Sequence, residues 1–363
     1  MKLLTRIIPP AYTLFLKTGT WCNAGCVTCP AGRKLPEDKE SSGLMKPEMM
    51  ERILRYVEGQ GRIISATHHF YNEPTVNPHI ATLIELCHNH KVHCLMSTNG
   101  SYWDRLLPVL GQGLTNLIFS VSGWTQEVHE RSHHNVSIQT VKQTMANTAN
   151  FIRLKRHGKD WRGGRMFVRV SWHDYEYNRH ERGLMQDFAE SLGFHFTSYN
   201  TGVLPLERAQ ARMLQTIADP FSPEDIAERD VRTKLVEAQK LCTERKHWTC
   251  INQQRMITID SGGFLHNCCV KAHDRNKRAS LFETNLEEFN RYRLEEDTDC
   301  KRCKAHGHHI YAMQDYRTPL GLKTTLRKKA EDTWRGLNLG GLFPKLSAKN
   351  SQKVYNRPQK ERK

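Results

Sequence analysis

Between residues 12 and 202, short apolar stretches alternate with longer amphipathic ones. The strand-like stretches are YTLFLKTG (12–19), RIISATHHFY (62–71), KVHCLMSTNG (91–100), TNLIFSVSG (115–123), RMFVRVSWH (165–173) and GFHFTSYNTG (193–202). Residues 46–59, 77–90, 102–110, 136–156 and 178–193 lie between them, with apolar residues returning at three- and four-residue steps. Alternation at period two predicts half-buried strands, and the 3.6 period predicts amphipathic helices. Strand and helix in regular succession predict parallel strands joined by right-handed crossovers. Six such strands fit an α/β fold, a partial (β/α)6 TIM-like barrel, with chemistry at the C-terminal strand ends.

The rhythm changes after residue 205. SPEDIAERDVRTKLVEAQKL (222–241) predicts a linking helix, with Ser222 as N-cap and Pro223 in its first turn. RMITIDSGGFLHNC predicts a hairpin turning at Ser261–Gly263, and LEEFNRYRLEED a short helix. The expected organisation is a barrel over 1–205, a linking segment over 206–241, a small α+β domain over 242–316 and a basic tail over 317–363.

Charge adds a second theme. The net charge is +16, and residues 321–363 hold twelve Lys/Arg against Glu331, Asp332 and Glu361. Such a tail suits an anionic partner, or is simply a solvated end. No apolar run approaches the roughly 20 residues of a membrane span. Arg6 and the Pro9–Pro10 pair interrupt the apolar start, which reads as the lead into a buried strand rather than a signal peptide. The eleven cysteines cluster as C-x3-C-x2-C and C-x2-C, a pattern of metal binding in a reducing cytoplasm rather than of disulfides.

TWCNAGCVTCPAG brings Cys22, Cys26 and Cys29 together directly after the first strand. Structural zinc and iron–sulfur cubes normally take four protein ligands. Three ligands in one loop leave a metal corner open to a small molecule. A zinc knuckle with a distant fourth ligand is the alternative.

C-x3-C-x2-C at this place resembles the radical S-adenosylmethionine (SAM) enzymes. The resemblance implies a [4Fe–4S] cluster on Cys22, Cys26 and Cys29, with SAM on the open iron. Thr28 departs from the aromatic residue often found before the third cysteine in that family. FYNEP resembles the family's Gly-Gly-Glu-Pro stretch, with Tyr71 and Asn72 in place of the glycines and Glu73 kept. A carboxylate there would bind the SAM amino group. STNG places Thr98 and Asn99 toward SAM, and FSVSGW offers Ser120 and Ser122 for its carboxylate or ribose. Alternation sets Arg169, Ser171 and His173 on one face of the fifth strand, and Arg169 and His173 are candidates for substrate chemistry.

Cys250, Cys268, Cys300 and Cys303, with Gly263 in the hairpin, resemble the shortened SPASM or twitch domain, which implies one auxiliary [4Fe–4S] cluster. A zinc ribbon would use the same four thiolates. Cys269 and Cys242 are neighbours able to replace Cys268 and Cys250. Cys87 and Cys94 read as core thiols, and His306, His308 and His309 as loop residues near the cluster.

The resemblance implies an iron–sulfur oxidoreductase or modifying enzyme that cleaves SAM to a 5′-deoxyadenosyl radical and abstracts a substrate hydrogen atom. Sugars, aminocyclitols and other polar small molecules form one substrate class. Peptides, as in the maturation of ribosomally made natural products, form the other. The implied partners are the substrate and a reductant such as flavodoxin or ferredoxin. A non-catalytic, zinc-containing nucleic-acid-binding protein is a third class, but it leaves Glu73 and the six strand–helix units unexplained.

Overall fold

The computed structural model describes residues 10–31, 43–156, 166–200, 204–207, 209–210, 239–240, 242–271 and 277–312. The linking helix expected over 222–241 and the basic tail lie outside these residues, apart from 239–240. Eleven strands are described. The six expected ones are β1 (Ala11–Leu16), β3 (Arg62–Thr67), β4 (His93–Thr98), β5 (Leu114–Val121), β7 (Phe167–Asp174) and β8 (His195–Asn200). They pair in that order, all parallel. The short strands β2 (Gly25–Cys26) and β6 (His133–His134) form a separate two-stranded pair.

Helices α1 (Pro47–Glu58), α2 (Ile80–Asn89), α3 (Trp103–Leu110), α4 (Gln126–Glu130), α5 (Ile138–Arg156) and α6 (Arg182–Ser191) link the strands. Helix α1 shows how the pattern works. Pro47 opens it, where a missing N–H costs nothing. Met50, Ile53, Leu54 and Val57 then bury one stripe. Along β1 the burial pattern alternates, with Tyr12, Leu14 and Leu16 buried in the main hydrophobic core. The intervening Phe15 lines the central cavity instead. The same alternation sends Met96, Phe119 and Trp172 into the core and leaves Ser97, Ser120 and His173 for the cavity.

Every expected strand exists, but the first four end earlier than their apolar pattern. Strand β1 stops at Leu16, β3 at Thr67, β4 at Thr98 and β5 at Val121. The residues beyond leave the ladder and build the loops over the cavity. The C-terminal region adds α7 (Ile251–Arg255), β9 (Met256–Ile259), β10 (Phe264–His266), β11 (Lys277–Ser280), α8 (Leu286–Glu295), α9 (Thr298–Ala305) and α10 (His308–Ala312). Strands β9 and β10 make the expected antiparallel hairpin. Asp260 fixes its turn by accepting from the Gly262 and Phe264 N–H groups at 2.9 Å each. Gly263 follows at φ 80°, a conformation that favours glycine. Strand β9 then pairs parallel with β1, so the hairpin and β11 extend the barrel sheet at its first strand. Among the described residues, no helix is long and apolar enough to cross a membrane.

Candidate active site

The cysteine loop leaves β1 at the C-terminal edge of the sheet, and the β2–β6 pair sets Cys26 opposite His133. Cys22, Cys26 and Cys29 line one cavity of about 340 Å³, within the usual range for ligand sites. Burial, then the charge of Glu73, pushes the Cys22 thiol up to about 12. Burial also pushes Cys26 well up, with the neighbouring cysteines adding to the effect. Buried thiols without a cation make poor nucleophiles, whereas a bound metal holds them as thiolates. The donor set therefore fits a metal cluster.

Glu73 is 3 % exposed and is held by four donors. Its Oε1 accepts from the Thr75 N–H at 3.1 Å, the Thr75 hydroxyl at 2.6 Å and the Thr98 hydroxyl at 2.8 Å. Its Oε2 accepts from the Asn99 N–H at 2.7 Å. Oε1 is crowded by three donors while Oε2 meets one, so Oε2 is the oxygen with a lone pair left for a further donor. Burial raises the Glu73 pKa, and among the described residues no lysine or arginine forms an ion pair with it. A cationic ligand would supply the missing charge.

Tyr71 sits just before this carboxylate at φ 53°. A bulky residue in the left-handed region is strained, by about 1–3 kcal/mol. This is the position where the Gly-Gly-Glu-Pro pattern places a glycine. Asn72 lines the cavity, but its amide is committed to the fold: it accepts from the Phe70 N–H at 2.9 Å and donates to the Thr18 hydroxyl at 3.0 Å. Asn99 lines the cavity too and ties the cysteine loop down, donating to Asn23 Oδ1 at 2.9 Å and toward Cys22 Sγ at 3.9 Å.

The remaining candidates divide. Thr98, Ser120 and His173 line the cavity. Ser122 does not; its hydroxyl lies 2.7 Å from His133 Nδ1 and accepts from Ser132 at 2.5 Å. Its place is behind His133, as a support. Arg169 shares the inward face of β7 with His173 but stands four residues deeper, roughly 13 Å down the strand. There its charge is one of the influences that lower His69.

His69 and His133 are cavity residues that the sequence pattern did not single out. The Ser97 N–H donates to His69 Nδ1 at 3.1 Å, which puts the His69 proton on Nε2. Burial pushes His69 and His133 each down to about 4, and pushes His173 well down. All three are neutral imidazoles near pH 7. The adjacent histidines at the end of β3 were the one available signal, since successive strand residues face opposite ways.

The second cysteine group surrounds a separate cavity of about 30 Å³, lined by Cys250, Cys268, Cys300 and Cys303. Cys268 and Cys269 face different chambers: Cys269 lines the large cavity, and its sulfur accepts from Asn252 Nδ2 at 3.8 Å. Cys242 lines neither cavity and packs in a small apolar cluster with Tyr175 and Ile310. The Asp297 side chain caps α9 by accepting from the Cys300 N–H at 2.7 Å. His308 and His309 lie buried on helix α10 rather than in a loop, and His309 donates to the Trp248 carbonyl at 2.8 Å.

Residues 16–154, which carry the cysteine loop, Glu73 and the ends of β1 to β5, match the family described as the radical SAM superfamily. This segment is a radical SAM domain. Its family implies a [4Fe–4S] cluster and SAM, the chemistry that the three-thiol cavity fits. Solved structures share the fold. SuiB of Streptococcus suis is 14 % identical in its complex with S-adenosylmethionine, covering 84 % of this chain and 74 % of that one at a TM-score of 0.53. SuiB bound to precursor peptide SuiA gives 14 % identity, 80 % and 67 % coverage and a TM-score of 0.54. A structure titled native anSMEcpe with bound AdoMet gives 13 % identity, 85 % and 96 % coverage and a TM-score of 0.51. At these identities the likeness is one of fold. Comparison with curated protein sequences gave no match.

Proposed function

We propose that this chain is a radical SAM enzyme with one auxiliary [4Fe–4S] cluster, acting on a polar, hydroxyl-bearing small molecule. The observation that carries the reading is the single cavity joining Cys22, Cys26 and Cys29 with Glu73, Asn99 and three neutral histidines. When bound, the cluster and SAM supply a 5′-deoxyadenosyl radical that removes a hydrogen atom from the substrate. Cys22, Cys26 and Cys29 hold the first cluster, and Cys250, Cys268, Cys300 and Cys303 the second.

Glu73 receives the SAM amino group on the open site of Oε2, while Thr98 and Asn99 fix the carboxylate. His69 offers its Nε2–H to a substrate oxygen. The Ser97 and Ser120 hydroxyls, 3.0 Å apart, offer a second polar point. His173, neutral and on the cavity wall, is the candidate acceptor for a hydroxyl proton. No lysine or arginine lines this cavity among the described residues, which favours an uncharged polyol or amino sugar over a phosphate or carboxylate. The region over 242–316 serves as the auxiliary-cluster domain, and flavodoxin or ferredoxin as the electron source.

A peptide is the second reading, favoured by SuiB, which shares the fold and was crystallised with its precursor peptide. The test is anaerobic reconstitution with strong reductant and SAM. The full chain should bind about eight irons, as two cubes require, and release 5′-deoxyadenosine. Adding polyols and amino sugars, or short peptides, should raise that release for one class only. Zinc without labile sulfide would end the reading.

A further inference from the structure

Arg293 of helix α8 is 0 % exposed. Its Nη1 donates to the Asn267 carbonyl and its Nη2 to the Gln253 carbonyl, both at 3.0 Å, and Nη2 also bonds the Asn290 side chain. None of these partners carries a charge. Its Nε is buried with no partner at all. A buried guanidinium without a carboxylate is costly, and an orphaned donor adds to the cost.

The surroundings say what is missing. The two carbonyls that Arg293 binds belong to Asn267 and Gln253, which both line the second chamber, so the guanidinium stands directly behind its wall. Burial lowers the Arg293 pKa, and the nearby Cys300, Cys268, Cys250 and Cys269 oppose that shift. Lys271 is a second buried cation, 7 % exposed and lining that chamber. It binds Asp299 at 2.6 Å, with Glu207 at 4.0 Å. Asp297 opposes the two cations, but its oxygens are taken by the Cys300 N–H and Asn267 Nδ2. The first chamber has no such cations. Glu73 is the charge beside its cysteines, and no lysine or arginine lines it among the described residues.

We propose that Arg293 is the counter-charge of the auxiliary cluster, donating its free Nε–H to a ligating sulfur, and that with Lys271 it makes this cluster the better electron acceptor of the two. Net charge and hydrogen bonds to sulfur set cluster potentials, and both act in the same direction here. The inference rests on the auxiliary-cluster reading and gives it a direction. With that cluster bound, a substrate carbon radical bearing a hydroxyl would lose one electron to it and its hydroxyl proton to His173, becoming a carbonyl. The reaction would be a net oxidation, the electron passing on to an external one-electron acceptor such as the oxidised electron carrier.

The test is an EPR-monitored redox titration of the reconstituted full chain. The variant with Cys22, Cys26 and Cys29 all changed to Ala marks which signal is auxiliary. In the unsubstituted protein that signal should have the more positive midpoint. Arg293→Gln should lower it by at least tenfold in the one-electron equilibrium constant, about 59 mV, and leave the first cluster unchanged. Arg293→Lys should recover part of the shift, because the charge stays and the Nε–H is lost. Lys271→Gln should give a smaller shift of the same sign, and it carries the test if Arg293→Gln fails to fold. Unmoved midpoints in Arg293→Lys and Lys271→Gln, or a first cluster more positive than the second, would overturn the proposal. Four irons in the unsubstituted chain would instead remove the auxiliary cluster itself, a failure of the earlier reading that the iron count distinguishes.

Discussion

The two cysteine chambers use the same thiol chemistry in opposite ways. The first takes three cysteines from eight consecutive residues and opens onto a cavity of about 340 Å³. The second takes four cysteines from the start of α7, the end of the hairpin and helix α9, and encloses about 30 Å³. Among the described residues, a lone anion stands beside the first, whereas two buried cations, with Asp297 and Asp299 near them, stand beside the second. Three ligands and an open side suit a site that binds a small molecule. Four ligands and a closed shell suit a site that only stores or passes charge. The difference lies in ligand count, enclosure and the presence of buried cations, since the ligand type is the same.

The strongest way to break the contrast is to remove the open site. Changing Cys22, Cys26 and Cys29 together to Ala should abolish 5′-deoxyadenosine release and reduce bound iron from about eight to about four. Loss of all iron would mean that the chambers do not assemble independently. A backbone lesion should strike the closed chamber instead. Gly307 has φ 71°, and an added Cβ would overlap the Cys242 carbonyl. Gly307→Ala should therefore cost about 3 kcal/mol or more by displacing α9 and α10. Iron analysis should show loss of the second cluster, with 5′-deoxyadenosine still formed.

Glu73→Gln sharpens the electrostatic side. It removes the anion and turns one acceptor into a donor facing the Asn99 N–H or the threonine hydroxyls. Hydrogen bonds to charged groups contribute about 1.5–3 kcal/mol each, so SAM affinity should fall roughly 10- to 150-fold. Thermal melting should show a parallel loss, because the carboxylate also braces the ends of β3 and β4. Unchanged SAM binding by calorimetry would remove Glu73 from the binding site. The smallest effect is expected from cutting the chain after Leu320. Both clusters should survive with 5′-deoxyadenosine release unchanged, while any binding to an anionic partner weakens. That difference should shrink between about 50 and 200 mM salt as the charges are screened.

Much of the barrel was legible because its strands and helices obey two fixed periods. Tyr12, Leu14 and Leu16, or Met50, Ile53, Leu54 and Val57, declare their buried face without any partner being known. The hairpin turn was legible for a local reason, the Ser-Gly-Gly run that Asp260 then fixes. The pairing of β9 with β1 was not, since nothing in MITI names the distant strand it joins. The strand ends were overextended for the same reason. HHFY continues the strand-like run with aromatic residues, but the ladder stops at Thr67, and His69 and Tyr71 reach the cavity.

By itself the sequence determined which residues could ligate metal and which carboxylate could stand beside them, because C-x3-C-x2-C, the later cysteines and Glu73 are matters of residue type and spacing. Tertiary structure decided which of two adjacent thiols, Cys268 or Cys269, faces which chamber. It also set Ser122 behind His133 rather than in the cavity, and placed Arg293 near cysteines 24 and more residues before it in the chain as well as Cys300, seven after it. Those outcomes depend on the direction a side chain takes and on the charge that packing brings near it. Neither is carried by local periodicity, because both arise only when distant segments share one buried volume.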